Sequence, residues 1–302
     1  MKIGTSDISK AYIGTSEADK IYLGSNLVYQ KGSPSPSYYN VGEPSFVMRF
    51  DGSWDYYSDG TFTASLVNSP SLTTGGPFNE GALAPTYDAN DVTNRIYVKL
   101  SRATAWTNEA IFIEFWMKLE NTSGSSIWQT FIGNMTKSAS NSYNGFAFRW
   151  TPSSSIQSLD LVYRLGSGSG FNRFCNDTIS LNNWTDFRAN IPFGQWAHYG
   201  FYFSGPSYVL ENGRCYQADI STGSSTYTKT WPKDIYLGNA TYNNDGQTLS
   251  PMGEVRILLG AKAEAYLSAI RKSQISGTSH IYKYTIPTGP FSDGGLTKYT
   301  AQ

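Results

Sequence analysis

Charge is scarce in this 302-residue chain: 23 basic and 23 acidic residues, 15% of the total, cancel to a formal net charge of zero. A surface so evenly charged generates no field to gather nucleic acid or an anionic membrane, and neither is expected as a partner. Histidine and cysteine are scarcer still, with two of each. Without a Cys-x-x-Cys pair or a His-Glu-x-x-His motif the usual zinc sites lack their ligands, and without Gly-x-Ser-x-Gly a Ser–His hydrolase lacks its nucleophile. Cys175 and Cys215 are too few for a disulfide framework. Free thiols are expected, although the two could pair in oxidising surroundings. No apolar run approaches the ~18 residues that span a bilayer. The first seven residues hold no hydrophobic signal core, so a soluble product without a signal peptide is expected.

Aromatics and glycine are abundant instead, with 22 Tyr, 16 Phe, 8 Trp and 29 Gly. Aromatic rings suit pleated, half-buried surfaces and glycine supplies turn dihedrals, so the composition is that of an all-β protein. Residues 192–217 show the pattern best. From Gln195 to Phe203 aromatic and small residues fall on both faces of a strand, which predicts burial on both sides. A second run, Tyr208-Val209-Leu210-Glu211, ends at Asn212-Gly213, a pair suited to a tight type I′ hairpin, with Arg214-Cys215-Tyr216-Gln217 returning. Five Asn-x-Ser/Thr sequons, at Asn121, Asn134, Asn176, Asn183 and Asn239, are expected by chance in loops this rich in Asn, Ser and Thr.

The first thirty residues repeat with period ten: Ile3-Gly4-Thr5-Ser6, then Ile13-Gly14-Thr15-Ser16, then Leu23-Gly24-Ser25-Asn26, each followed by alternating residues. The even period keeps faces in register, so a small β-meander is expected. It would place Ile8, Tyr12, Tyr22 and Val28 on one face and Ile13, Ile21, Leu23 and Tyr29 on the other. Such a short element buries too little surface to stand alone and should dock on something else, either a partner or its own C-terminal domain. The stretch resembles the Lys-x-Tyr-Leu-Gly-Ser repeats at the N-termini of tailed-bacteriophage tail, fibre and appendage proteins. That resemblance implies other virion proteins as partners through residues 1–30, with Tyr12, Ile13, Ile21, Tyr22, Leu23 and Tyr29 as the docking residues. It also implies synthesis in the host cytoplasm and residence in the virion.

Residues 31–45 have Pro/Ser linker composition. Beyond them, Met48-Arg49-Phe50-Asp51-Gly52 runs a strand into an Asp-Gly turn, Phe115-Trp116-Met117-Lys118 closes an apolar strand, and Trp196 is followed by His198. Ile235-Tyr236-Leu237-Gly238 and Gly253-Glu254-Val255-Arg256-Ile257 come later. In this order the pieces resemble laminin-G-like, concanavalin A-type lectin domains, which implies a jelly-roll sandwich over residues 46–292 and a C-terminal tail at 293–302. Ala261 to Lys272 is the one convincing helix.

Concanavalin A-type glucanases carry paired acids on one strand face, and Glu114 has no acidic neighbour two or four residues away. Glu114 is therefore expected as a strand residue paired with a base or facing solvent, and His198 as a hydrogen-bonded core residue rather than a base. No catalytic residue is expected. Trp184, Asp186 and Arg188, with Trp231 and Asp234 as a second cluster, set an aromatic face among planar polar groups, the chemistry of sugar recognition. Trp184 could equally fold back onto the sandwich. No cofactor is expected; calcium remains compatible, with Asp51, Asp55 and Asp59, or Asp88, Asn90 and Asp91, as oxygen donors. The expected function is a bacteriophage fibre, appendage or decoration displaying a lectin-like domain to host-surface glycans, as a homo-oligomer and by analogy a trimer. A glycan depolymerase on the same sandwich is the alternative.

Overall fold

The computed structural model describes short backbone stretches at 2–3, 6–7, 12–13, 16–17, 20–23 and 26–30. It also describes residues 43–78, 81–85, 96–107, 109–120, 129–137, 143–152, 157–164, 172–174, 192–204, 207–217, 230–239, 248–273, 275 and 281–302. Two antiparallel sheets face each other across an aromatic core, the all-β jelly-roll sandwich expected from the sequence. Among the described residues the larger sheet has eleven strands. Its main path runs, in spatial order, Ile281–Lys283, Arg214–Gln217, Ser207–Glu211, Trp196–Phe203, Ile111–Lys118, Met252–Leu259, Phe46–Met48, Asp55–Ser58 and Thr297–Thr300. The smaller sheet runs Asn172–Phe174, Gln157–Arg164, Tyr143–Pro152, Gln129–Gly133, Ile235–Leu237, Tyr97–Arg102 and Phe62–Val67.

Alternation decides which side chains enter the core. In Ile111–Lys118 the odd positions Ile111, Ile113, Phe115 and Met117 meet Phe131, Ile132, Phe148 and Leu237 from the smaller sheet. Phe115 packs edge-on to Phe148 at 5.4 Å, and Phe148 stacks on Phe201 at 5.9 Å. Each such fully buried side chain contributes roughly 1.5–3 kcal/mol of transfer free energy, before the opposing chain entropy.

The even positions of the same strand, Phe112, Glu114 and Trp116, face the other way, and they are buried too. Their cover is the helix Gly260–Arg271, which sets Ala263, Tyr266, Leu267 and Ile270 against the sheet, and the segment that continues from Ile281–Lys283 through Tyr284 to Phe291. Double cover explains why strand Trp196–Phe203 reads as nearly continuous apolar sequence, and it is buried from Ala197 onward. Asn212 and Gly213 take φ of 41° and 95°, the two positive values that a type I′ turn demands.

Three sequence expectations change. The N-terminal strands pair two by two, with Ile3 opposite Ser6, Ile13 opposite Ser16 and Leu23 opposite Asn26. Among the described residues they form three two-stranded hairpins rather than one continuous meander. A bulge after Ile21 sets Leu27, not Val28, opposite Tyr22. At the other end, residues 293–302 are no tail. Thr297–Thr300 forms an edge strand on Asp55–Ser58, and the Gln302 carbonyl accepts a hydrogen bond of 2.7 Å from Leu66 N–H in the smaller sheet. The sandwich also reaches into the expected linker, because Ser45 N–H donates to the Ile257 carbonyl at 2.9 Å.

Candidate functional site

The densest polar constellation lies on the covered outer face of the larger sheet. Register brings it together: Glu114 is opposite Arg256 on one neighbouring strand and Gly200 on the other, with His198 one diagonal step away. The Arg256 Nε donates to Glu114 Oε1, and Tyr266 Oη, reaching down from the helix, donates to Oε2 at 3.1 Å. His198 Nε2 stands 3.2 Å from that same Oε2, and its Nδ1 is 2.8 Å from Tyr284 Oη. The neutral Nε2–H tautomer puts the proton on the nitrogen nearer the carboxylate and leaves Nδ1 to accept from the tyrosine. Burial holds the His198 pKa below its ordinary value, against the pull of Glu114. Arg256 is further sandwiched, its Cζ 5.3 Å from the Tyr266 ring and 5.1 Å from that of Phe291.

Glycine at position 200 makes room for this. An ideal Cβ there would fall 2.9 Å from the Ile113 carbonyl oxygen and 3.1 Å from Glu114 Cβ. The closing segment is pinned at Phe291, whose N–H donates to Glu254 Oε2 at 2.5 Å while its carbonyl accepts from Arg49 Nη2 at 2.9 Å.

A carboxylate, an imidazole and a hydroxyl in a row is the arrangement of a nucleophilic relay. Here Glu114 and His198 are wholly inaccessible and Tyr284 is 6% exposed. Desolvation also raises the Tyr284 hydroxyl pKa well above the ordinary phenol value. The row ends under the helix and the closing segment, with no room for a substrate, so its chemistry is structural. Glu114 is thus paired with a base, and His198 is the hydrogen-bonded core residue the sequence implied.

The expected sugar residues are not all visible. Trp184, Asp186 and Arg188 lie outside the described residues. Trp231 sits in a short strand opposite Trp106. Asp234, half-buried, is 3.7 Å from Lys99 Nζ, so its charge is already answered. The residues expected to dock, Tyr12, Ile13, Ile21, Tyr22, Leu23 and Tyr29, all fall in the described N-terminal strands, with Ile21 directly opposite Tyr29.

The carboxylates suggested for calcium are dispersed. Asp55 bonds Lys298 and Thr300, both at 2.6 Å, Asp51 accepts from Ser53 at 3.0 Å, and Asp59 lies 3.8 Å from Lys262. Asp88, Asn90 and Asp91 lie outside the described residues. Among the described residues no group of three or more His, Cys, Asp or Glu stands together as a metal site. Cys215 is a free, buried thiol, and Cys175 lies outside the described residues. Sequon residues Asn134 and Asn239 are buried, and Asn134 spends its amide on the Pro232 carbonyl and the Phe146 N–H.

What sequence reading missed is a pocket of about 260 Å³ at the C-terminal end of the helix, lined by Ser268, Arg271, Lys272 and Tyr282. Adjacent Arg and Lys at a helix end is a local signal. The tyrosine eleven positions on, carried by an edge strand, is not.

No protein-family profile matches the sequence, and no curated protein matches it significantly. Among solved structures, the chain is similar to the receptor-binding domain of botulinum neurotoxin D, with TM-score 0.48 and 10% identity over 78% of this chain and 54% of that one. It is also similar to the binding domain of botulinum neurotoxin DC in complex with SialylT, with TM-score 0.45 and 13% identity over 76% and 51%. A third is Domain 4 of AbnA, an extracellular arabinanase from Geobacillus stearothermophilus, in complex with arabinotriose, with TM-score 0.43 and 15% identity over 74% and 98%. The chain spans about half the length of the neurotoxin domains.

Proposed function

We propose that this chain is a virion structural protein, a fibre, appendage or decoration. Its N-terminal hairpins dock on other virion proteins, and its sandwich is displayed towards host-surface glycans. The observation that carries the reading is that, among the described residues, the N-terminal strands pair only two by two. Hairpins with strands of two to five residues bury too little to persist in water, so they need a partner surface to hold them. The sandwich, by contrast, supplies its own core. The relay-like row of side chains among its described residues is closed to substrate, which favours binding over catalysis.

A single shallow lectin site binds in the millimolar range, about 4 kcal/mol. Useful adhesion therefore calls for several copies acting through effective concentration, and a homo-oligomer, with three chains as the working number, follows.

Deleting residues 1–30 tests the reading. The remaining fragment should stay folded and soluble but no longer join particles; a fragment that still assembles into virions would sink the docking role. Imaging the chain in a purified particle would then separate fibre, appendage and decoration. Release of oligosaccharides from host capsule incubated with the protein would instead establish a depolymerase.

A further inference from the structure

The pocket at the helix end combines features that its structural duties do not use up. Arg271, in the last turn, and Lys272, just beyond, are both exposed. One cation in a last turn suffices to favour the helix dipole. Neither residue makes an ion pair among the described residues. The Arg271 guanidinium sits with its Cζ 6.0 Å from the ring of Tyr208, and Tyr208 lies 6.4 Å, centroid to centroid, from Tyr282. Tyr282 Oη donates to Gln217 Oε1 at 3.2 Å, fixing the ring at the pocket wall. Tyr208 itself is wholly buried and does not line the pocket, which Tyr282 does.

The base of the pocket is anchored on both sides. Lys283 N–H donates to the Ser273 carbonyl at 2.8 Å and Ile275 N–H to the Ile281 carbonyl at 2.9 Å, tying the helix end to the edge strand. The backbone that carries the two cations is therefore held against the edge strand.

Two unpaired cations select an anion. The tyrosine wall and the Ser268 hydroxyl select one that also has C–H faces and hydroxyl groups. At about 260 Å³ the pocket lies below the roughly 300–1,000 Å³ usual for drug-sized ligands, which limits it to one ring at a time. We propose that this pocket binds a carboxylate-bearing sugar residue of a glycan, with Arg271 gripping the carboxylate, Lys272 adding charge and Tyr282 flanking the ring. The inference rests on the glycan-adhesion reading and gives it a site, independent of Trp184.

The test uses the full chain and measures binding of galacturonic acid, N-acetylneuraminic acid, neutral galactose and inorganic sulfate by ligand-observed NMR. The acidic sugars should bind about tenfold more tightly than galactose, and the preference should shrink as salt is raised. Arg271→Gln should weaken acidic-sugar binding about tenfold at an unchanged melting temperature. Arg271→Lys should fail to restore it, because a point charge lacks the planar fork. Undiminished binding by Arg271→Gln would overturn the site, as would sulfate binding as tightly as the sugars, which marks an anion site only. Galactose bound equally well by parent and variants would leave glycan adhesion standing and remove it from this pocket. No binding of any sugar, with none on a glycan array either, would bring down the adhesion reading itself.

Discussion

Two buried glutamates in the larger sheet meet opposite fates. Glu114, on the outer face, is met by Arg256, Tyr266 and His198. Glu211 lies directly across from Tyr199, on the face that looks into the sandwich, and is 2% exposed. Its Oε1 has no hydrogen-bond partner, and neither has the Tyr199 hydroxyl. Desolvation pushes the Glu211 pKa up to about 8, only partly countered by Arg214 beyond the turn. The difference teaches that burial alone does not set a carboxylate's surroundings: Arg256 bonds Glu114 directly, whereas Arg214, though registered opposite Glu211, offsets its desolvation only in part.

The largest effect should come from making Glu114 resemble Glu211. Arg256→Met removes the cation from a buried pair and should destabilise the chain by roughly 3–5 kcal/mol in denaturant titration. A loss under about 1 kcal/mol would mean that Tyr266 and His198 suffice.

The reverse experiment is Glu211→Gln. The unfolded chain releases this proton near pH 4.5, whereas the folded chain keeps it to about pH 8, so the parent loses stability as pH rises through that window. At pH 8 the variant should be more stable by up to about 4 kcal/mol, with no gain below the window. His198 works with the opposite slope. Its folded pKa is lowered, so the unfolded chain binds the proton first, and stability falls as pH drops below the usual histidine range. His198→Asn should flatten that acid limb and leave the alkaline one in place.

A smaller effect tests crowding. Gly200→Ala puts a methyl group against the Ile113 carbonyl and Glu114 Cβ and should cost about 1–3 kcal/mol by pushing the carboxylate off Arg256. Smallest of all, Asn212→Ala strains the positive φ beside Glu211 and should cost about 1 kcal/mol, while Asn212→Gly should be nearly neutral.

Local chemistry was readable where it is local. The alternation from Trp196 to Phe203, the Asn212-Gly213 turn and the helix around Ala263 announce themselves within a few residues. Thr297-Lys298-Tyr299-Thr300, a β-branched and aromatic run after Gly294-Gly295, carries the same signal, but it lies beyond the stretch that the family resemblance covers. Partnership was not readable. Nothing near Glu114 points to Arg256, 142 positions away, or to the helix that brings Tyr266. The same holds for the pocket, since Arg271 and Tyr282 meet only because an edge strand returns beneath the helix. Cross-strand pairs of this separation are set by topology, which a linear pattern does not encode.

The order of strands has a mechanical consequence. The N-terminal segment joins the sandwich at Ser45, beside Phe46–Met48, whereas Tyr282 lies on the far edge strand of the same sheet. Tension between a tether at one and an attached surface at the other would run across the sheet, strand to strand, along the direction of its hydrogen bonds. In that loading a ladder yields according to its length. The joint between Ile111–Lys118 and Trp196–Phe203 has eight registered pairs, whereas the first on this path, Phe46–Met48 with Met252–Leu259, and the last, Arg214–Gln217 with Ile281–Lys283, have three each. Under a pull the two terminal joints, one at the tether and one at the pocket, would yield before the eight-pair joint between them.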